Sequence, residues 1–250
     1  YKPVAPKKMI DNTRNILERS DLNTVGLTEQ IKTSHDGARC FVQYNLPAHS
    51  YQTGDGDTAS LSLLSTSSFD GTWPFMISVA AVQSACTNLQ VFVSGEVAIY
   101  KAKHTQSLDI EHGANIIVKS LDVFNREREL WQQWQGQKVC DMEAFLFFAD
   151  ALNVNINTGG LDVGYSPADV IHNLKRRNEN LNYIWRVYTA VYKNRLGSNY
   201  WAVYNAMTDW STHFGVVRQS SERNIASIQN DRQQVIRQAV SSNSVLRLAA

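Results

Sequence analysis

The 250-residue sequence predicts an α+β protein: an antiparallel β-meander packed on a long helix, followed by a helical C-terminal half. Three observations predict it. Apolar residues alternate in short runs up to about Lys101, and from Asp109 onward they recur at helical spacing. Turn signals of glycine and aspartate, Gly54-Asp55-Gly56-Asp57 and Phe69-Asp70-Gly71-Thr72, separate the first-half runs. Charge is segregated: residues 1–164 carry 13 Lys and Arg against 18 Asp and Glu (−5), and residues 165–250 carry 11 against 5 (+6). The net charge of +1 hides this division.

The elements follow in order. Residues 7–19 place Ile10, Ile16 and Leu17 on one side of a short amphipathic helix, and a second short helix is expected over Val25 to Ile31. Strands are expected at Cys40–Leu46, Ala59–Ser65, Trp73–Val79, Leu89–Ser94 and Val97–Lys101, with Ala80 to Asn88 open to a helical turn instead. A long helix runs from Asp109 to about Gln135 with Ile110, Ile116, Ile117, Leu121 and Phe124 as its stripe, and Asp141 to Leu152 continues the helical reading. Polar residues 153–165, with Gly159, Gly160 and Gly164, read as a mobile loop. Ser166-Pro167-Ala168-Asp169 is a helix start, with serine at the cap, proline first and a carboxylate three residues after the cap. Leu181–Leu196 and Asn199–Phe214 are aromatic-rich helices. Residues 221–240 form a polar helix with Ile225, Ile228, Val235 and Ile236 on a narrow stripe, and the tail beyond Ser241 frays. The expected division is a meander and long-helix core at 1–152, the loop at 153–165 and a basic helical region at 166–250 packed on that core.

Composition excludes several classes. Hydrophobic residues at 43% with only five prolines argue against disorder. Cys40, Cys86 and Cys140, odd in number and far apart, make neither a disulfide framework nor a zinc site and point to a reducing compartment. No apolar run approaches the ~20 residues of a membrane span, and the N-terminal residues carry no signal-peptide core. A soluble cytoplasmic protein is expected. No phosphate loop, Gly-x-Gly-x-x-Gly, Gly-x-Ser-x-Gly or His-Glu-x-x-His is present, so no cofactor or metal is implied.

Two kinds of site remain. Asn205, Asp209 and His213, at i, i+4 and i+8, share a helix stripe on which a carboxylate one turn from an imidazole would orient a base or ligate a metal. The plainer reading makes it the solvated side of a helix whose buried side is Tyr200, Val203, Met207 and Trp210. The second kind is cationic. Lys101 and Lys103, with His104 after them, sit on one face of a strand end, where they track a phosphate backbone or merely protect an edge. Lys175, Arg176, Arg177, Arg186, Lys193 and Arg195 form the densest cluster. Arg186 and Lys193, seven apart, share a face opposite a buried side of Leu181, Ile184, Tyr188, Val191 and Tyr192. Such a face suits phosphates without base readout. Trp73 and Phe75 either stack on bases or belong to the core.

Four strings resemble a known family: Ser67-Ser68-Phe69-Asp70-Gly71-Thr72 with Phe75-x-x-Ser78-Val79, Ala85-Cys86-Thr87-Asn88, Lys103-His104-Thr105, and Asn205-Ala206-Met207-Thr208-Asp209-Trp210-Ser211-Thr212-His213. In this order, over roughly Ala38 to His213, the chain is similar to the phage- and plasmid-encoded family known as a domain of unknown function. The resemblance implies a phage or plasmid origin. The order of elements is also similar, at fold level only, to ring-forming single-strand annealing proteins of the RecT, Red-beta and eukaryotic recombination-mediator kind. That likeness implies an inner DNA groove lined by Lys101, Lys103, Arg126 and Arg128, with the basic C-terminal cluster as a second surface. The leading expectation is a non-enzymatic, homo-oligomeric protein that binds and anneals single-stranded DNA, with a phage exonuclease or single-strand-binding protein as a further partner and no membrane. The rivals are a metal or acid/base enzyme built on Asn205, Asp209 and His213, and a phage structural or host-interaction protein using aromatic helices with Trp185, Trp201, Tyr204 and Trp210.

Overall fold

The computed structural model describes residues 5–34, 36–53, 56–71, 73–83, 89–90, 92, 99–102, 109–159, 165–215 and 225–243. The chain divides into two units, the first 1–53, 57–128 and 219–226, the second 54–56, 129–218 and 227–250. The division falls inside a helix, so the segment after Asp141, read from sequence with the meander, belongs to the second unit.

In the first unit, Pro6 starts helix α1, Pro6–Arg19, and its apolar side buries Met9, Thr13, Ile16 and Leu17 at positions i, i+4, i+7 and i+8. The next element corrects the sequence reading. Val25 to Ile31 is not helical: Thr28–Ser34 is strand β1. An edge strand that is polar on both sides has no period-two pattern to read. Strands β2 (Arg39–Gln52), β3 (Thr58–Ser68) and β4 (Phe75–Gln83) follow as the expected antiparallel meander, in the order β1-β2-β3-β4. All three outrun their predicted lengths, β2 by continuing past a register shift between Leu46 and Ser50, where Pro47 falls. Ala80 to Gln83 belong to β4, which removes the helical alternative there. Strands β5 (Leu89–Gln90) and β6 (Ile99–Ala102) both pair with β4, at Ala81–Val82 and at Phe75–Ser78 respectively.

One face of this sheet is the core of the unit. Cys40, Val42, Tyr44 and Leu46 of β2, Leu61 and Leu63 of β3, Ile77 and Val79 of β4, and Tyr100 of β6 are all buried and lie in register. Helix α1 covers it, with Thr13 Oγ1 hydrogen-bonded to Ser65 Oγ at 2.9 Å. The long helix α2, Ile110–Gly136, begins at the expected Asp109, whose carboxylate accepts from the His112 N–H. Its first half packs on the same face: His112 meets the Tyr100 ring, Phe124 meets Phe92, and Gly113 lets the Ile16 side chain approach.

The second unit contains the end of α2 and then α3 (Asp141–Ala151), a short 3-10 turn (Ile156–Gly159), α4 (Pro167–Arg177) and α5 (Glu179–Val187). A π-helical turn over Tyr188–Tyr192 leads into α6 (Lys193–Leu196), and α7 (Tyr200–His213) and α8 (Ile225–Ser242) complete it. Ser166 caps α4 as its sequence predicts, in a reciprocal capping box with Asp169. Helix α7 departs from expectation most. It was expected to be amphipathic, but eleven of its fourteen residues are buried, from Trp201 to Thr212 with only Asp209 excepted. Trp131 and Trp134 of α2 pack on Trp201 and Tyr204, and three of the buried polar side chains bond back to their own helix: Asn205 to the Trp201 carbonyl, Thr208 to that of Asn205, Thr212 to that of Thr208.

Candidate functional site

The most organised polar cluster lies where α5, the π-turn, α7 and α8 meet. Asp209 of α7 accepts hydrogen bonds from the Tyr183 hydroxyl to one carboxylate oxygen and from the Tyr192 hydroxyl to the other, each at 2.7 Å. A regular helix would not permit this. Nine residues at 3.6 per turn put Tyr183 and Tyr192 about 180° apart. The π-turn inserts one residue, which cuts the separation to about 80° and turns both phenols toward one carboxylate. Burial and the Asp209 carboxylate push the Tyr183 phenol well above its ordinary value, because a phenolate there would lose water and face a like charge.

Arginines stack around the cluster. The Arg186 guanidinium lies 5.5 Å from the centre of the Tyr183 ring, and that of Arg195 5.5 Å from the Tyr192 ring. Tyr183 in turn packs on Phe214 with ring centres 4.9 Å apart. Arg232 of α8 lies 5.3 Å from the Phe214 ring and 5.1 Å from Trp210, and its Nη1 donates to the Trp210 and Phe214 carbonyls at 3.0 and 2.6 Å. It thus caps the C-terminus of α7 at the negative pole of the helix. Trp210 Nε1 donates to Asn180 Oδ1 at 3.0 Å and completes the tie to α5. The result is a run of cation, ring, ring and cation, Arg186–Tyr183–Phe214–Arg232, anchored from beneath by a carboxylate.

The residues singled out in the sequence fare unevenly. Asn205 is fully buried and bonded within α7, so the Asn205, Asp209 and His213 stripe is neither exposed nor the polar side of an amphipathic helix. His213 is half-buried in the last turn of α7. Among the described residues no three His, Cys, Asp or Glu side chains stand together as metal ligands. Lys175, Arg176 and Arg177 fill the last turn of α4, the first half-buried and the others exposed, at the end where the helix dipole favours cations.

Arg186 and Lys193 do not share a face. The π-turn moves them from about 20° to about 120° apart. Arg186 stays exposed beside Tyr183, and Lys193 Nζ pairs with Asp141 at 2.6 Å. The same insertion leaves Val191, expected inside, 46% exposed.

Of the predicted groove, the described members Lys101, Arg126 and Arg128 are not brought onto one face. Lys101 follows Tyr100, so strand alternation sends it to the sheet face opposite α1 and α2. Arg126 and Arg128 belong to α2 on the other side, Arg126 exposed and Arg128 stacked 5.3 Å from the Tyr51 ring. Lys103 and His104 lie outside the described residues. Phe75 is core, edge-on to Tyr100, and Trp73 lies half-buried under Arg39 at 5.2 Å. Tyr183, Tyr192 and Arg232, central to the cluster, were missed by sequence reasoning. Their signal was an aromatic and a basic residue recurring three apart, as in Tyr183 with Arg186 and Tyr192 with Arg195.

The fold and cluster define an α+β protein with an antiparallel meander in its first unit and aromatic-rich helices in its second. Residues 1–231 match the family described as Domain of unknown function (DUF932), and the chain belongs to that family. No curated protein and no solved structure matches the chain, so the likeness to RecT-type annealing proteins has no structural neighbour behind it. Among the described residues no helix is long and apolar enough to cross a membrane.

Proposed function

We propose that this protein binds single-stranded DNA through its second unit and anneals complementary strands as a homo-oligomer, without nucleotide hydrolysis, for phage or plasmid recombination. The observation that carries the reading is the Arg186–Tyr183–Phe214–Arg232 stack within the segment of net charge +6. An arginine held against an aromatic ring can still offer N–H groups to phosphate, as exposed Arg186 would do here while Arg232 holds the end of α7, and ring faces at the margin of such a stack take unstacked bases. Arg176 and Arg177, exposed on α4, add to the positive field that draws a polyanion. The polar, amide-rich surroundings fit backbone binding without sequence preference. The cytoplasm of an infected or plasmid-bearing bacterial host is the proposed setting, with a phage exonuclease or single-strand-binding protein as the proposed companion.

The test is anisotropy of a labelled oligonucleotide over a salt series. Each single-strand phosphate contact contributes about 0.7 to the slope of log affinity against log salt. Arg186→Ala and Arg176→Ala should each lower that slope by about 0.7 and weaken binding evenly across sequences. Absence of binding at low salt, or a slope of zero, would overturn the reading.

A further inference from the structure

Among the described residues the outer edge of β1 has no strand partner, and neither does the same side of β2 beyond Asn45, where Pro47 interrupts the row of donors. The seven residues of β1 pair with β2 without a bulge, from Thr28 opposite Asn45 to Ser34 opposite Arg39, so the outer backbone groups form a regular row. Natural edges are commonly blunted by proline, bulges or inward charges; β1 has no proline or bulge, and its two charges are Glu29, already paired with Arg14, and Lys32. Ile31, at the centre of this strand, is a large apolar side chain left 49% exposed. By contrast, the outer edge of β4 is already shared by β5 and β6.

We infer that β1 pairs antiparallel with β1 of a second copy of this chain, about a two-fold axis at Ile31. Among two-fold registers, that one alone pairs the full length of the strand. All seven residues find a partner: Ile31 faces Ile31, Gln30 faces Lys32, Glu29 faces Thr33 and Thr28 faces Ser34. Each charge then meets a neutral hydrogen-bonding side chain. Glu29 keeps its 2.7 Å pair with Arg14 on the same sheet face as Ile31. Shifted registers that set Glu29 against Glu29 or Lys32 against Lys32 place like charges directly across, which discriminates against them. The pairing merges two sheets into one and uses up both β1 edges, so it closes at two copies. The inference rests on the self-association part of the proposed function and is independent of DNA.

Light scattering of the full chain across a dilution series without DNA gives the first reading. Wild type is expected at twice the chain mass and Ile31→Lys at the chain mass. Charge variants at exposed Gln30 keep the test open should Ile31→Lys misfold. Gln30→Glu faces Lys32 of the other copy and should tighten self-association several-fold, and Gln30→Lys should weaken it several-fold. In a Cys86→Ser, Cys140→Ser background, Ile31→Cys should oxidise rapidly to a covalent dimer, because either kind of antiparallel pair holds the Cα atoms about 4.5–5.5 Å apart. Val25→Cys, outside the strand, should lag. A wild type that is monomeric throughout would leave β1 to some other protein's strand and overturn the inference, and so would unchanged mass in both Ile31→Lys and Gln30→Lys or equal crosslinking at Val25→Cys. Failure of DNA binding alone would leave it standing.

Discussion

Replacing Asp209 by alanine removes the shared acceptor of two tyrosine hydroxyls, each held at 2.7 Å. A hydrogen bond to a charged group contributes about 1.5–3 kcal/mol. The two losses are unequal. Tyr192 is fully buried and its phenol is left without that carboxylate, whereas half-buried Tyr183 can turn toward water. A cost of about 3–4 kcal/mol follows, a large part of the 5–15 kcal/mol typical of a whole domain. A double-mutant cycle separates this bond from mere loss of side-chain volume. Tyr192→Phe should cost about 1.5–3 kcal/mol in the wild type and close to nothing once Asp209 is alanine, giving a coupling of similar size. Urea unfolding followed by tryptophan fluorescence reads the second unit, which holds Trp131, Trp134, Trp185, Trp201 and Trp210 of the six tryptophans. Additive costs, with coupling under about 0.5 kcal/mol, would refute the shared-carboxylate geometry and with it the role given to the π-turn.

Four further outcomes are expected. Buried tyrosines set an alkaline limit: burial pushes Tyr188 up to about 12 and raises Tyr44 and Tyr183 also, so the folded chain holds protons that the unfolded chain sheds near pH 10. Stability is therefore level below about pH 10 and falls as pH rises through the window up to the raised folded values, which pH-jump unfolding would follow. The Tyr188 hydroxyl is buried with no hydrogen-bond partner among the described residues, so Tyr188→Phe should be neutral or stabilise by up to about 1 kcal/mol and should relieve part of that alkaline loss. Ser166→Ala removes one half of the α4 capping box and should cost about 1 kcal/mol in urea unfolding. A methyl group at Gly113 would meet Ile16 Cδ1 at 2.8 Å, so Gly113→Ala should destabilise by about 1 kcal/mol after its gain in helix propensity, with Ile16→Val restoring part of the loss.

Legibility in the sequence followed the strength of periodic patterning. Helix α1, the start of α2 at Asp109 and the cap of α4 at Ser166 all announce themselves through spacing and capping chemistry that act within a few residues. The meander was legible because its inner face alternates, as in Cys40, Val42, Tyr44 and Leu46. Strand β1 was not, since Thr28, Gln30 and Lys32 are exposed and the strand is held by backbone pairing to β2 rather than by an apolar face. Helix α7 misled for the opposite reason. Asn205, Thr208, Ser211 and Thr212 look like a solvated side, yet a helix central to its unit can bury hydroxyls and amides that bond to its own carbonyls. The cue was its charge: fourteen residues carry a single carboxylate and one histidine, too little for a helix that faces water.

The candidate site was hidden by a single residue of phase. From Leu181 to Leu196 the sequence supports an unbroken helix, and every face assigned beyond Tyr188 inherits that assumption. Widening one turn rotates everything after it by about 100°. Val191 is thereby turned outward, Lys193 meets Asp141 rather than joining Arg186, and Tyr192 turns to the carboxylate that Tyr183 already holds. Propensity does not mark such a turn, because the π-turn residues Tyr188-Thr189-Ala190-Val191-Tyr192 would all be accepted in an ordinary helix. What selects it is tertiary: two phenols satisfy Asp209, otherwise a carboxylate against aromatic rings with too few donors. Basic side chains were therefore read correctly as cationic and misread as a common stripe. Their grouping follows the rings they stack on, Arg186 with Tyr183, Arg195 with Tyr192 and Arg232 with Phe214, rather than their spacing along the helix.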